Sequence, residues 1–251
     1  MNNNLPVREN TGVSTEMGEN TNRPMIVAID GPAGVGKSTV AKAIAARLGY
    51  TYLDSGALYR AVAWKALTTK TDLTSADAMK RLCEKMELAV TAAVGNGLKV
   101  EVDGRTLGSE LRSPEVSRAA SQVAAIPEVR ACLLPTQQAM ARQRGVRGIV
   151  AEGRDIGTRI FPEAGVKFFL KAAPSERARR RQEDLMTAGR PVDLAETQRE
   201  IEARDRRDLT RADAPLVAAP DAHVIDTTDS SLDQVVARLL SVIEDKSAGR
   251  R

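Results

Sequence analysis

Eight consecutive residues constrain this chain more than any others: Gly31-Pro32-Ala33-Gly34-Val35-Gly36-Lys37-Ser38. They match the pattern G-x-x-x-x-G-K-S/T at every fixed position. Before them stands a short apolar run, Met25-Ile26-Val27-Ala28-Ile29, which reads as a buried parallel strand. After them, Val40, Ala43, Ile44 and Leu48 recur at helical spacing until Gly49 stops the helix. Glycines let a backbone curl so that successive N–H groups point at phosphate oxygens, and the helix that begins here turns its positive end toward the same anion. Lys37 is then expected to reach the β- and γ-phosphates of a nucleoside triphosphate, and the Ser38 hydroxyl to ligate Mg²⁺. The expected triphosphate site runs from Gly31 to Thr39.

The motif leaves the reaction open, since kinases, GTPases and nucleic-acid motors all use it. The Asn-Lys-x-Asp signature that reads guanine is absent, and 251 residues are few for the paired lobes of a motor. Hydrophobic residues make up 42% of the chain, enough for a substantial core, but aromatic residues only 3%. A platform of stacked rings for single-stranded nucleic acid is therefore not expected. The formal net charge is +4, and 27 of the 37 basic residues are arginine. An arginine excess suits nucleic acid, an acidic membrane surface or a phosphate-rich small ligand, and net charge does not choose among them. No apolar run is long enough to span a bilayer, and the Asn-rich N-terminus lacks the apolar stretch of a secretory signal. Cys83 and Cys132 form no C-x-x-C pair and read as reduced thiols, which points to the cytoplasm. His223, the only histidine, excludes a multi-histidine metal site and reads as a core residue.

Residues 1–23 are polar and aperiodic and are expected to be a disordered extension of a core spanning 24–251. Further buried strands are expected at 50–53, 148–151, 166–170 and 222–225, with a closing amphipathic helix from Leu232 to Ile243. Five short strands separated by helices imply an α/β fold, a parallel sheet covered on both faces. The middle of the chain breaks this rhythm. Residues 88–94 and 98–102 flank Gly95-Asn96-Gly97 as a hairpin, and Asp103-Gly104 offers a second tight turn, so a small antiparallel insert is expected at about 84–111. Helices are expected from Pro114 to Ala125 and from Pro127 to Arg144, each with proline in its first turn. The Arg-rich stretch 177–211 carries interspersed acids at helical spacing, with a break near Gly189-Arg190-Pro191. Tyr59 and Trp64 read as core residues, and Arg179, Arg199, Arg206 and Arg207 as surface.

Three segments combine arginine with hydroxyl or carboxylate groups: Asp54-Ser55-Gly56-Ala57-Leu58-Tyr59-Arg60, Glu152-Gly153-Arg154-Asp155, and Arg204-Asp205-Arg206-Arg207-Asp208-Leu209-Thr210-Arg211. The first two follow expected parallel strands, where open α/β sheets bind ligands at the carboxyl edge. Arginine suits a phosphate because its planar fork bonds two oxygens at once, while carboxylates and hydroxyls suit an exocyclic amine or ribose hydroxyls. A phosphorylated nucleoside needs both sets.

With the phosphate loop and Ser121-Gln122-Val123-Ala124, these segments closely resemble the bacterial cytidylate kinases, of the nucleoside monophosphate kinase group. The resemblance runs from about Met25 to the final helix. It implies a P-loop kinase fold: a five-stranded parallel sheet flanked by helices, a monophosphate-binding region at 54–145 containing the antiparallel insert, and a helical lid at 174–193. It implies that Ser55 and Asp155 accept from the cytosine amine while Arg130 donates to the other base edge. Ser121, Arg204 and Asp208 would hold the pentose hydroxyls, and Arg60, Arg154 and Arg211 would clamp the attacking monophosphate. Arg177 and Arg181 of the lid would reach ATP. Glu152, at a strand end, would hold Mg²⁺ through water, the alternative being a structural partner for Lys37 or a nearby arginine. The implied reaction is ATP·Mg²⁺-dependent phosphorylation of CMP, with dCMP accepted too, by direct transfer with Lys37, Arg154, Arg181 and Arg211 around the moving phosphoryl group. A monomer acting on small molecules, without nucleic acid or membrane, is expected. The rival from another class is an ATPase whose arginine surface holds RNA; sparse aromatics and the acids within 177–211 speak against it.

Overall fold

The computed structural model describes residues 24–93, 97–142, 146–187 and 189–248. The expected extension at 1–23 lies outside them, as do Val94, Gly95 and Asn96 of the hairpin and Arg144, the expected end of the helix from Pro127. The chain begins with β1 (Met25–Asp30), α1 (Lys37–Leu48), β2 (Thr51–Asp54), α2 (Ser55–Thr68) and α3 (Ala76–Lys85). An antiparallel sheet follows, built from β3 (Leu88–Ala93), β4 (Gly97–Val102) and β5 (Arg105–Leu107). Next come α4 (Pro114–Val123), α5 (Pro127–Met140), β6 (Gly148–Gly153), β7 (Val166–Lys171), α6 (Pro174–Thr187) and α7 (Leu194–Thr210). The last elements are β8 (His223–Asp226) and α8 (Leu232–Ala248).

Five strands pair in the parallel order β2-β6-β1-β7-β8, as the strand–helix alternation implies. Successive side chains point to opposite faces. Val27, Ile29 and Val150 enter one core with Ile44 of α1 and Leu239 of α8, while Ala28, Ile149 and Ala151 enter another with Met140 and Ile156. From β1 the chain crosses to β2 on one side and later reaches β7 on the other. Such a reversal opens a crevice at the carboxyl ends of the strands, and Gly31–Ser38 lies there.

The strand expected at 222–225 starts one residue later and is the edge of the sheet rather than a buried strand. Paired on one side only, it leaves Val224 50% exposed. His223 is accordingly half-buried, its ring 5.8 Å from that of Phe168. A third core unites α2, α3, α4 and α5 with Val100, Val102 and Leu107 of the antiparallel sheet. Tyr59 is buried in it; Trp64 packs at its rim under the Arg105 guanidinium, 5.1 Å away. α5 stops at Met140, short of the expected Arg144, because the Ala141 and Arg142 N–H groups turn back to the carbonyls of Gln138 and Ala139. Among the described residues no helix is long and apolar enough to cross a membrane, and Cys83 (buried) and Cys132 (exposed) are both free thiols.

Two positions of the phosphate loop admit only glycine: a Cβ at Gly31 would stand 2.3 Å from the Leu170 carbonyl oxygen, and Gly34 is closely held too. Gly34 has φ 74°, and a Cβ there would stand 2.7 Å from the Arg177 carbonyl oxygen. Gly34→Ala is therefore expected to lose about 1–3 kcal/mol of stability through clash and left-handed strain and to raise the KM for ATP. Thermal unfolding and initial rates check this; an unchanged melting temperature would contradict the packing described.

Candidate active site

The carboxyl ends of β1, β2 and β6 open on one cleft of about 1390 Å³. Ala33, Gly34, Val35, Gly36, Lys37, Ser38 and Thr39 line it at one end. Ser55, Arg60, Ser121, Glu152, Arg154, Asp155, Arg181, Arg204, Asp208 and Arg211 line the rest. Four residues expected in the site do not form its wall: Gly31, Pro32, Arg130 and Arg177.

Gly31 and Pro32 root the loop beneath the cleft, and the Pro32 carbonyl accepts from Lys37 Nζ at 2.7 Å. Lys37 is 5% exposed. Burial, and then the positive field of Arg154, pulls its pKa well below the usual lysine value, with Glu152 acting against them. Arg177, expected to touch ATP, turns the other way. Its guanidinium pairs with Asp205 and donates to the Ala33 and Ala172 carbonyls at 3.1 and 3.2 Å. Asp205 also accepts from the Ala33 N–H at 3.1 Å. Arg177 and Asp205 thus clamp the underside of the phosphate loop to α6 and α7.

Among the described residues Glu152 does not pair directly with a cation. Tyr52 Oη donates to its Oε1 at 2.7 Å. Glu152, expected near Mg²⁺, is therefore held by a tyrosine that sequence reasoning missed. No local pattern marks Tyr52; it acts because β2 pairs with β6, placing Asp54 opposite Glu152.

The arginine-rich wall is built from charge pairs. Asp54 caps α2 by accepting from the Ala57 N–H and holds Arg60 at 2.6 Å. Burial raises the Asp54 pKa, but Arg60 outweighs it and the net shift is downward. Arg154 donates to Asp208 at 2.8 Å. Arg204, pulled down to about 10 by burial and then by Arg154, stands in a crowded positive field. Ser121 accepts from Arg207 Nε at 3.1 Å, which brings Arg207 in from the expected surface to the cleft wall. Arg179 is exposed and paired with Glu176 and Glu183; Arg199 and Arg206 are exposed as expected.

At the corner farthest along β6, Asp155 lies between two arginines. Arg130 pairs with one carboxylate oxygen, and Arg211 Nη2 stands 3.3 Å from the other. Arg130 is behind Asp155 rather than on the cleft wall, because Tyr59 Oη and Asp213 also draw its nitrogens at 3.2 and 3.0 Å. Ser55 Oγ donates to the Glu152 carbonyl at 2.8 Å. Asp30, at the end of β1, fixes the turn after Asp155 by accepting from the Ile156 and Gly157 N–H groups, both at 2.8 Å. Burial pushes the Asp30 pKa up to about 6 despite those donors.

On the other side, Arg181 lines the cleft from α6. Its neighbour Arg180 is fixed by the Thr227 carbonyl at 2.6 Å and the Thr227 hydroxyl at 3.1 Å. The loop after β8 thus joins the wall; its signal was its place at a strand's carboxyl end.

A phosphate loop facing a bank of paired arginines across the carboxyl edge of one sheet defines a P-loop phosphotransferase. The cytidylate kinase family model matches residues 27–245. The chain is 46% identical over 220 residues to a cytidylate kinase of Desulfitobacterium hafniense, covering 88% of this chain and 93% of that one. It is also 46% identical over 225 residues to one of Pelotomaculum thermopropionicum, with 90% and 97% covered. One of Symbiobacterium thermophilum is 44% identical over 218 residues, with 87% and 95% covered. The chain belongs to the cytidylate kinase family.

Proposed function

We propose that the cleft binds ATP at its Gly31–Thr39 end and CMP at its arginine-rich end, and that these residues carry the transfer between them. The reaction is ATP-dependent phosphorylation of CMP to CDP. A CMP phosphate oxygen attacks the γ-phosphorus, the bond to the bridging oxygen breaks, and ADP leaves. We propose dCMP as a second acceptor.

One observation carries this division of labour. Two buried nitrogens on the arginine-rich wall, Nε of Arg60 and Nε of Arg204, have no hydrogen-bond partner among the described residues, and Nη2 of Arg211 has only the Asp155 carboxylate, 3.3 Å away. A buried donor without an acceptor is costly, most of all on a charged group. A phosphate and its sugar offer acceptors to each. Arg60, Arg154 and Arg211 are assigned to the monophosphate, Ser121, Arg204 and Asp208 to the pentose, and Ser55, Asp155 and Arg130 to the base. Arg130 takes its part through Asp155 and the base edge behind it. No side chain need act as a strong base, because the attacking phosphate is already anionic. Lys37 and the arginines position the reactants and neutralise the oxyanion charge that spreads in the transition state.

The residues present fit Mg²⁺. Ser38 is an exposed residue on the cleft wall, and Glu152 keeps Oε2 outside its bond to Tyr52. A hydroxyl and one carboxylate suit an ion that retains waters and binds mainly to substrate phosphates. Held by these residues, Mg²⁺ would supply charge neutralisation to the phosphates of ATP. Residues 174–193 are assigned as a lid that brings Arg181 over the phosphates and excludes water; Arg190 already donates to the Arg112 carbonyl across the cleft at 2.8 Å. Residues 54–145 are assigned as the monophosphate-binding region. The same reading makes the protein a cytoplasmic monomer that acts on nucleotides rather than nucleic acid.

Arg60→Ala tests the acceptor assignment. Loss of a charge-assisted hydrogen bond to phosphate is worth about 1.5–3 kcal/mol, so kcat/KM for CMP should fall roughly tenfold to 100-fold, with the KM for ATP unchanged. An unaltered kcat/KM for CMP would remove Arg60 from the phosphate clamp.

A further inference from the structure

Asp213 belongs to none of the motifs above and does not line the main cleft. It sits in the turn after α7, and that turn is tightly defined. Arg211 Nε donates to the Ala214 carbonyl at 2.6 Å, and the Leu216 N–H returns to the Asp208 carbonyl at 2.8 Å. Ala214 adopts φ 50°, a left-handed conformation that residues with a Cβ seldom take. The result aims the Asp213 carboxylate at Arg130, whose Nε donates to it at 3.0 Å. The Arg130 side chain is 4% exposed, that of Asp213 32%.

Arg130 is thereby held at all three nitrogens: Nε by Asp213, Nη1 by Tyr59 Oη and Nη2 by Asp155. One guanidinium is shared between two carboxylates, Asp155 on the base corner and Asp213 behind it. A second cavity of about 340 Å³, bounded by Arg130, Tyr59, Gln137, Arg159 and Asp213, lies on the Asp213 side. The guanidinium is planar and its five N–H directions are fixed relative to one another. Anchoring Nε therefore sets where the Nη1 and Nη2 hydrogens point. It also divides the positive charge, so that Asp155 keeps acceptor strength for an exocyclic amine.

We propose that Asp213 is a positioning residue for base recognition, which fixes the plane of Arg130 and limits its grip on Asp155. The proposal rests on reading Asp155 and Arg130 as the base corner. Because Arg211 shapes the turn that carries Asp213, the phosphate clamp and the base corner are mechanically joined.

The test compares Asp213→Asn, Asp213→Glu and Arg130→Ala with the parent enzyme. For each, kcat and KM are measured with CMP and with UMP, and KM with ATP. Asp213→Asn should raise the KM for CMP roughly tenfold, as one charge-assisted hydrogen bond is weakened, and narrow the CMP-to-UMP ratio of kcat/KM by a similar factor. Its kcat should change far less, and its KM for ATP not at all. Asp213→Glu, which restores the charge, should recover most of the ratio. A purely structural role would lower the melting temperature without narrowing that ratio. An unchanged ratio in Asp213→Asn beside a collapsed one in Arg130→Ala overturns the role of Asp213 alone. An unchanged ratio in both overturns the base corner itself.

Discussion

Replacing Lys37 with methionine is expected to lower kcat by roughly 10³-fold or more, since it removes a preorganised charge from the oxygens on which transition-state charge accumulates. Methionine keeps most of the stem and its packing, so the loss is one of charge. The ammonium is anchored on the Pro32 carbonyl at 2.7 Å at the root of the loop. Burial and the field of Arg154 already disfavour its charged form in the folded chain. The variant should therefore fold at least as well as the parent, and thermal unfolding separates that from the kinetic effect. The KM for CMP should stay within a few-fold, because the acceptor wall is untouched. A loss of kcat smaller than tenfold would contradict the role given to Lys37.

Asp155→Asn is expected to have the second largest effect. A site built to hydrogen-bond a polar group rejects an analogue lacking that group by as much as about 10⁴-fold, because its own polar atoms are left unpaired. Asparagine replaces one acceptor oxygen with a donor, facing both the cytosine amine and an arginine. The kcat/KM for CMP should fall by roughly 10³-fold, while UMP, which presents a carbonyl there, should lose far less. Asp155 also stands between Arg130 and Arg211. Removing one member of a buried charge network costs about 3–5 kcal/mol, which in a domain of this size lowers the melting temperature by on the order of 10 °C. Rates must therefore be taken well below the lowered midpoint. Equal fractional losses with CMP and UMP would mean that Asp155 is structural and does not read the base.

The sequence shows some parts of this site plainly and hides others, for physical reasons. The phosphate loop is legible because its requirement is local: left-handed glycines and a lysine at fixed spacing. Arg204, Asp208 and Arg211 are legible because the segment Arg204-Asp205-x-x-Asp208-x-x-Arg211 resembles the family's motif. Arg60 and Arg154 are legible because each follows a strand end. Arg177 is different. It lies among arginines of identical chemistry, and only the packing of α6 and α7 under the loop turns it to Asp205 and away from the cleft. Arg207 reaches Ser121 across the contact of α7 with α4, which no spacing along the chain records. Tyr52 and Asp30 act through strand pairing, and Asp213 through a turn shaped by Arg211. Edge strand β8 looked buried because its apolar residues do not say which flank lacks a neighbour.

The most direct measurement is ADP release from ATP with CMP, dCMP, UMP, AMP and RNA added separately. The account predicts strong stimulation by CMP, comparable turnover of dCMP, a kcat/KM for UMP at least about 100-fold lower, and no stimulation by RNA. Turnover of UMP equal to that of CMP, or stimulation by RNA and none by CMP, would contradict it.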